Sequence, residues 1–329
     1  MVKKISVIGG SGFVGTNLCR QLVLKQQDFE IIDLHISKQF PDKCKIADVR
    51  DINTLRATIT GDVVVNLAAV HRDDVRDKSE YQKTNVGGAA NLASVCEEKG
   101  INKIVFTSTV AVYGFAELGT DETGAINPFN EYGRTKFEAE EILRAWHAKG
   151  ANSLIIVRPT VIFGEGNRGN VFQLLNQIAS GKFLMVGKGD NKKSMAYIDN
   201  VVAFLEACIL TEKKYGLYNY VDTPNLTMNE LITHVRKKLK GKDIIGFRLP
   251  YWLGIILGYT ADLLAALSGR KLPVSSIRVK KFVSSTEFRG ASGSLENFVA
   301  PHSLCDGLQR TLEREFISPN PRRQIFYTE

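Results

Sequence analysis

The stretch "KKISVIGGSGFVGTNL", Lys3 to Leu18, decides how the first half of this chain is read. An apolar run, Ile5, Val7 and Ile8, leads straight into "GGSGFVG" and then into residues with helical spacing. A strand, a glycine loop and a helix in that order make an anion site. Glycines let phosphate oxygens approach the backbone, and the helix N-terminus offers free N–H groups and positive potential. The loop has two registers: Gly10, Gly12, Gly15 as G-x-G-x-x-G, or Gly9, Gly12, Gly15 as G-x-x-G-x-x-G. The residues alone leave both open.

Outward from the loop, strand and helix patterns alternate. "ISVIG", "FEIID", "CKIAD", "VVVNLAA", "KIVFTS" and "SLIIVRP" read as strands, most of them β-branched and bounded by Gly, Asp or Asn. Helical patterns lie between them at Val14 to Lys25, Asp51 to Thr58, Tyr81 to Lys99 and Glu131 to Lys149. Continuously apolar strands are buried on both faces. The expected fold is therefore α/β, a doubly wound parallel (Rossmann) sheet, with a smaller C-terminal substrate-binding region. After Pro159 the pattern becomes irregular: "FGEGNRGNVF" reads as a loop and "SMAYIDNVVAFLEACIL" as a short strand followed by a helix. The division expected is a dinucleotide-binding part over 1–165, to which 195–220 returns, and a substrate-binding part over 166–194 and 221–329.

Bulk properties narrow the chemistry. The 329 residues are 44% hydrophobic and 24% charged, with a net charge of +8. Such a charge suits an anionic ligand or an acidic surface. No nucleic-acid-binding signature occurs, so nucleic acid is not expected. Five scattered cysteines without C-x-x-C spacing fit reduced thiols in a cytoplasmic protein, and the five histidines show no metal-ligand clustering, so no metal is expected. "LPYWLGIILGYTADLLAALSG", Leu249 to Gly269, is apolar but interrupted by Gly254, Gly258, Thr260 and Asp262. A spanning helix is not expected there. The preferred reading is a pair of buried helices. The alternative is peripheral contact with a membrane, because Arg270, Lys271, Arg278, Lys280 and Lys281 follow.

Two constellations carry chemistry. Asp33 ends the second strand about 20 residues past the loop, where a carboxylate accepts hydrogen bonds from an adenosine ribose and repels a 2′-phosphate. NAD is therefore expected over NADP. Asp48, ending "KIAD", could meet the adenine amino group. "EYGRTKFEAEEIL" holds Tyr132 and Lys136, one helical turn apart on one face. It follows "VFTSTVAVYG", whose Ser108 and Thr109 sit at the carboxyl end of a strand, the ligand-binding edge of an open parallel sheet. Taking hydride from a carbinol carbon requires taking the hydroxyl proton as well. A tyrosine titrates near 10, too high for an efficient base. A lysine ammonium and a positive nicotinamide would lower it, and a threonine hydroxyl can hold the reacting oxygen.

These motifs together resemble the extended short-chain dehydrogenases/reductases, in the branch of NAD-dependent nucleotide-sugar epimerases and dehydratases. The resemblance covers Lys3 to Leu210 well and the rest loosely. It selects the register Gly9, Gly12, Gly15, and implies that Phe13, Val14, Asp33, Asp48, Val49, Leu67, Ala68, Ala69, Asn85, Ser108 and Pro159 surround the cofactor together with Tyr132 and Lys136. Asn85, in "YQKTNVGGAANL", corresponds to the residue that supports the active-site helix. Thr109, Tyr132 and Lys136 take the catalytic positions. His71, Thr109, Tyr132, Thr160, Asn170 and Lys193 take substrate positions.

Departures from the family pattern sharpen the choice of reaction. Sugar 4,6-dehydratases carry Asp and Glu after the catalytic threonine, where this chain has Val110 and Ala111, so dehydration is not expected. Val161 and Lys193 replace an Asn and an Arg of galactose-type epimerases. Lysine holds a phosphate as a point charge without the planar fork of arginine. The resemblance then implies a C4 epimerase acting on a UDP-hexose or UDP-N-acetylhexosamine through a 4-keto intermediate. The alternatives are a reductase of a UDP-4-keto-6-deoxy-N-acetylhexosamine and, less well matched, a 3β-hydroxysteroid-type dehydrogenase. A non-catalytic dinucleotide sensor fits poorly, since such relatives lose the tyrosine and lysine. The family also implies a homodimer that pairs through the Glu131 to Lys149 helix.

Overall fold

The computed structural model describes residues 2–72, 75–269 and 275–327. Arg270 and Lys271 lie outside the described residues. A seven-stranded sheet is built from β1 (Lys4–Ile8), β2 (Asp28–Asp33), β3 (Cys44–Ile46), β4 (Val63–Asn66), β5 (Lys103–Thr107), β6 (Ser153–Pro159) and a last strand, Tyr215–Tyr220. Across the sheet the order is the last strand, β6, β5, β4, β1, β2, β3, with every neighbouring pair parallel. The chain therefore reverses direction of travel between β1 and β4, which opens a crevice at their carboxyl ends.

Both faces of the sheet are dry, and this explains the unbroken apolar runs. Val63, Val65, Val105, Ile155 and Val157 enter one core, which the Phe13–Leu24 and Ile198–Leu210 helices cover. Val64, Ile104, Phe106, Leu154 and Ile156 enter the other, under the Ile52–Thr58, Gly88–Lys99 and Glu131–Ala148 helices. The five cysteines are free thiols.

Three expectations need adjustment. The loop expected through Phe172 ends early, because a helix starts at Asn170 behind the Gly169 cap. The helix expected over Tyr81 to Lys99 contains a widened turn at Gln82–Gly87. The pair of buried helices expected near Leu249 is one helix, Tyr251–Ser268, in which only Gly254 and Gly258 are buried. The glycines do not break it. They let its backbone approach Val186 and Ser276, where a Cβ would meet atoms at 2.6 and 2.7 Å.

A buried polar cluster ties the helical layer to the sheet. Glu140, fully buried on the Glu131–Ala148 helix, accepts from Arg158 Nε at 2.8 Å and Nη2 at 2.5 Å, and from Ser108 Oγ. Arg158 Nη1 donates to the Tyr113 hydroxyl at 2.7 Å, which donates to Asn219 at 2.8 Å. Burying two charges is costly, and removing one strands the other. Glu140→Ala should therefore lower the unfolding free energy by about 3–5 kcal/mol, measured by urea denaturation. The double variant Glu140→Leu with Arg158→Met should recover most of that loss. Additive losses would show that the pair is not coupled.

Candidate active site

The crevice between β1 and β4 opens into a cleft of about 1660 Å³ that runs from the glycine loop to the C-terminal helices. At its base the loop has no room for a side chain at Gly9 or at Gly10, where a Cβ would lie 2.8 Å from Ile31 Cγ2. Gly9 has φ +78°, and a Cβ there would lie 2.8 Å from the Ala68 nitrogen. A Cβ on Gly15 would strike Gly10 Cα at 2.5 Å and the Gly9 carbonyl at 2.6 Å. At Gly12 the nearest such contact is 3.4 Å away, which leaves the loop open on the cleft side. Gly12 caps the Phe13–Leu24 helix, so the N–H groups of Phe13, Val14 and Gly15 open that helix without intrahelical acceptors. This is a cradle for a pyrophosphate.

Asp33 stands at the end of β2, on the cleft wall. Its carboxylate accepts from Ser11 N–H at 3.0 Å and His35 N–H at 3.1 Å, which fixes it beside the loop. Each oxygen retains a further lone pair for a ribose hydroxyl. Val49, Leu67, Ala68, Ala69, Pro159, Thr160, His71, Asn170 and Lys193 also line the cleft. The residues present thus fit a dinucleotide: a glycine cradle for its diphosphate, a carboxylate for its ribose and apolar walls.

Thr109, Tyr132 and Lys136 meet on the cleft floor. Asn130 caps the helix that carries the last two, its side chain accepting from Gly133 N–H at 2.9 Å. Lys136 is only 1% exposed, and its Nζ lies 4.1 Å from the centre of the Phe106 ring. Burial pulls its ammonium down to about 7, and Glu140 one turn further on opposes that pull. Burial pushes the Tyr132 phenol up to about 12, against a hydrogen bond with the Thr109 side chain. Thr109 Oγ1 also accepts from Ala111 N–H at 3.1 Å, so its position is set from both sides. A phenol, a cation and a hydroxyl in one desolvated pocket can pass a proton to and from a carbinol oxygen.

Other expected residues are placed differently. Asp48 does not line the cleft. Arg50, two residues on, grips it with Nε at 3.0 and 2.8 Å from its oxygens, and that hydrogen bonding holds the carboxyl below its ordinary range. Asn85 lies behind the site rather than on it. It accepts from Val70 N–H at 2.9 Å and donates to Thr135 Oγ1 at 3.0 Å, bracing the helix that carries Tyr132. The Ser108 hydroxyl turns inward to Glu140. Lys193 reaches the cleft, but its ammonium donates to the Lys281 and Ser284 carbonyls at 2.9 and 2.6 Å, and burial lowers it to about 8.

The sequence reading missed Glu140, although its spacing of four from Lys136 extends the pattern to Y-x-x-x-K-x-x-x-E. It named Arg278 and Lys281 only as basic residues beyond the apolar segment and missed Phe129 and Phe282; all four line the cleft. Arg278, Lys281 and Phe282 arrive from the Ser276–Val283 helix, distant in the chain, and no local signal marks them.

Comparison with known proteins agrees with this geometry. The family model for the NAD dependent epimerase/dehydratase family matches residues 5–220. N-acetyl-alpha-D-glucosaminyl-diphospho-ditrans,octacis-undecaprenol 4-epimerase of Escherichia coli O157:H7 is 47% identical, over 100% of both chains. A UDP-glucose 4-epimerase of Vibrio cholerae is 32% identical over 64% of this chain and 67% of its own. Among solved structures, a UDP-N-acetylglucosamine 4-epimerase from Bacillus cereus superposes with a TM-score of 0.74 at 18% identity, covering 94% of this chain and 97% of its own. With a glycine loop, a strand-end carboxylate and a Tyr–Lys floor in one cleft, the chain belongs to the NAD-dependent epimerase/dehydratase family of extended short-chain dehydrogenases/reductases, and it is an NAD-dependent enzyme.

Proposed function

We propose that this enzyme inverts C4 of an N-acetylhexosamine held through a diphosphate, and that the diphosphate is carried by a polyprenyl lipid. The observation that carries the reaction is the meeting of the Tyr132 phenol, the Thr109 hydroxyl and buried Lys136 on one cleft floor. The identity of 47% across the whole chain, with a relative named for a sugar-diphospho-undecaprenol, supports the carrier. The lipid carrier departs from the UDP carrier expected from the sequence, while the C4 chemistry stays as read there.

The chain's residues divide the work as follows. Gly9, Gly12 and Gly15 with the helix N-terminus hold the cofactor's diphosphate, and Asp33 holds its ribose. Bound NAD+ supplies a reversible acceptor for the C4 hydride. Thr109 donates to the C4 oxygen and sets its distance from Tyr132. Tyr132 takes the hydroxyl proton, and gives it back when the sugar has presented its other face. With the phenol pushed up to about 12, this transfer needs nearby positive charge. Lys136 supplies charge one helical turn away and also clamps the cofactor. Val110 and Ala111 offer no acid or base next to Thr109, so the 4-keto sugar is reduced rather than dehydrated.

We expect Tyr132→Phe to bind NAD normally and to lose turnover by about 10²–10⁴-fold, read by NMR of C4 inversion. Near-normal turnover would remove Tyr132 from the base position. Asp33→Ala should narrow the preference for NAD over NADP, measured as a ratio of dissociation constants, and an unchanged ratio would take Asp33 out of the ribose site. For the substrate, purified enzyme should invert N-acetylglucosaminyl-diphospho-polyprenol in preference to UDP-N-acetylglucosamine. Inversion of the nucleotide sugar alone would overturn the lipid carrier, and inversion of neither would overturn the reaction.

A further inference from the structure

The Tyr251–Ser268 helix is turned inside out. Its two buried positions are glycines, Gly254 and Gly258, and Leu253, Ile255, Ala261, Asp262 and Ala265 lie half-buried around them. Most of its large apolar side chains point away from the protein, with Trp252 63%, Leu263 62%, Leu264 58% and Leu267 77% exposed. A surface helix in water shows the opposite pattern. The helix's single charged residue, Asp262, faces inward, where it accepts from Ser276 N–H at 3.1 Å and so serves the N-terminus of the Ser276–Val283 helix. The residues are long and apolar enough to cross a bilayer, but the glycine stripe clamps the helix lengthwise against the body. It therefore lies along the surface.

Two observations say what covers this face. The first is charge. The Ser276–Val283 helix packs against it and exposes Arg278, Lys280 and Lys281. Lys280 Nζ reaches the Tyr259 hydroxyl at 3.1 Å and sits 5.4 Å from its ring, so cation and amphipathic aromatic share one border of the apolar face. An apolar face with Trp and Tyr, bordered by cations, matches an anionic lipid interface. A second copy docked by a two-fold would set cation against cation. The second observation is continuity with the active site. Arg278, Lys281 and Phe282 line the cleft, and Lys281 Nζ lies 5.0 Å from the ring of Phe129, which stacks on Phe115.

We propose that Tyr251–Ser268 is a docking helix that lies in the interface of an anionic bilayer and holds the cleft mouth against the headgroups. A lipid-borne sugar diphosphate then enters past Arg278 and Lys281 while its tail stays in the membrane. The docking stands on the geometry of the helix; only the identity of what is delivered rests on the function proposed above.

The test is flotation of the full-length protein with phosphatidylcholine vesicles, with and without phosphatidylglycerol. The protein should float with the anionic vesicles and be released by high salt. The variant Leu263→Gln, Leu264→Gln, Leu267→Gln changes only exposed side chains. It should melt like the parent and partition about tenfold less. Brominated lipid should quench Trp252 in the unaltered protein, an effect that Trp252→Phe removes; Trp146, 2% exposed, is shielded in the core. A parent protein that stays in the soluble fraction, or a triple variant that floats equally well, overturns the proposal. So does a triple variant that turns a dimer into a monomer without changing vesicle binding. A protein that floats and is quenched but leaves the lipid-linked sugar unchanged refutes the substrate and leaves the docking in place.

Discussion

Desolvation of the Lys136 ammonium is the constraint around which the site is arranged. A cation with 1% exposure needs compensation, and it has a carboxylate one turn away and an aromatic face at 4.1 Å. The carboxylate, Glu140, is itself buried, so it is paired in turn with Arg158 on β6 and with Ser108 after β5. The chain of compensation therefore fastens the catalytic helix to two strands of the sheet. The packing that draws Lys136 down to about 7 also raises Tyr132 to about 12. Both shifts reduce charge on the cleft floor. A positively charged ring and a reacting oxygen entering that floor would meet little competing solvent, where electrostatic interactions are strong.

The N-terminal strands were readable because burial on both faces demands apolar residues at every position, as in "VVVN" and "LIIV". The glycine loop was readable because backbone crowding admits no Cβ at Gly9 or Gly15. Its register was not readable from spacing alone, since Gly9, crowded by Ala68 after β4, and Gly10, crowded by Ile31 from β2, both lack room for a Cβ. Thr109, Tyr132 and Lys136 converge as their motifs imply, because a strand end and a helix start are local features.

Side chains take partners the sequence does not show where a distant or competing group is packed against them. Asp48, expected at an adenine contact, is absent from the cleft lining and pairs with Arg50. Lys193 has the charge to hold a phosphate, yet the end of a helix nearly ninety positions along the chain takes up its ammonium. The strand Tyr215–Tyr220 reads poorly as a strand because of Gly216 and Asn219, and Asn219 is explained by Tyr113 and Arg289. Composition could not place the Tyr251–Ser268 helix, because a buried helix and a lipid-facing helix use the same residues. Which face carries the glycines distinguishes them, and that depends on Val186 and Ser276.

In the proposed reaction the C4 hydrogen of the bound sugar leaves and returns within one water-excluded pocket, with Tyr132 moving the accompanying proton. Turnover of a C4-deuterated N-acetylglucosaminyl-diphospho-polyprenol in ordinary water tests it most directly. Hydride transfer to a bound cofactor and back predicts a primary isotope effect on inversion and full retention of deuterium at C4 of the product. Loss of the label to solvent, or inversion with no isotope effect while the C4–O bond is cleaved, would contradict it.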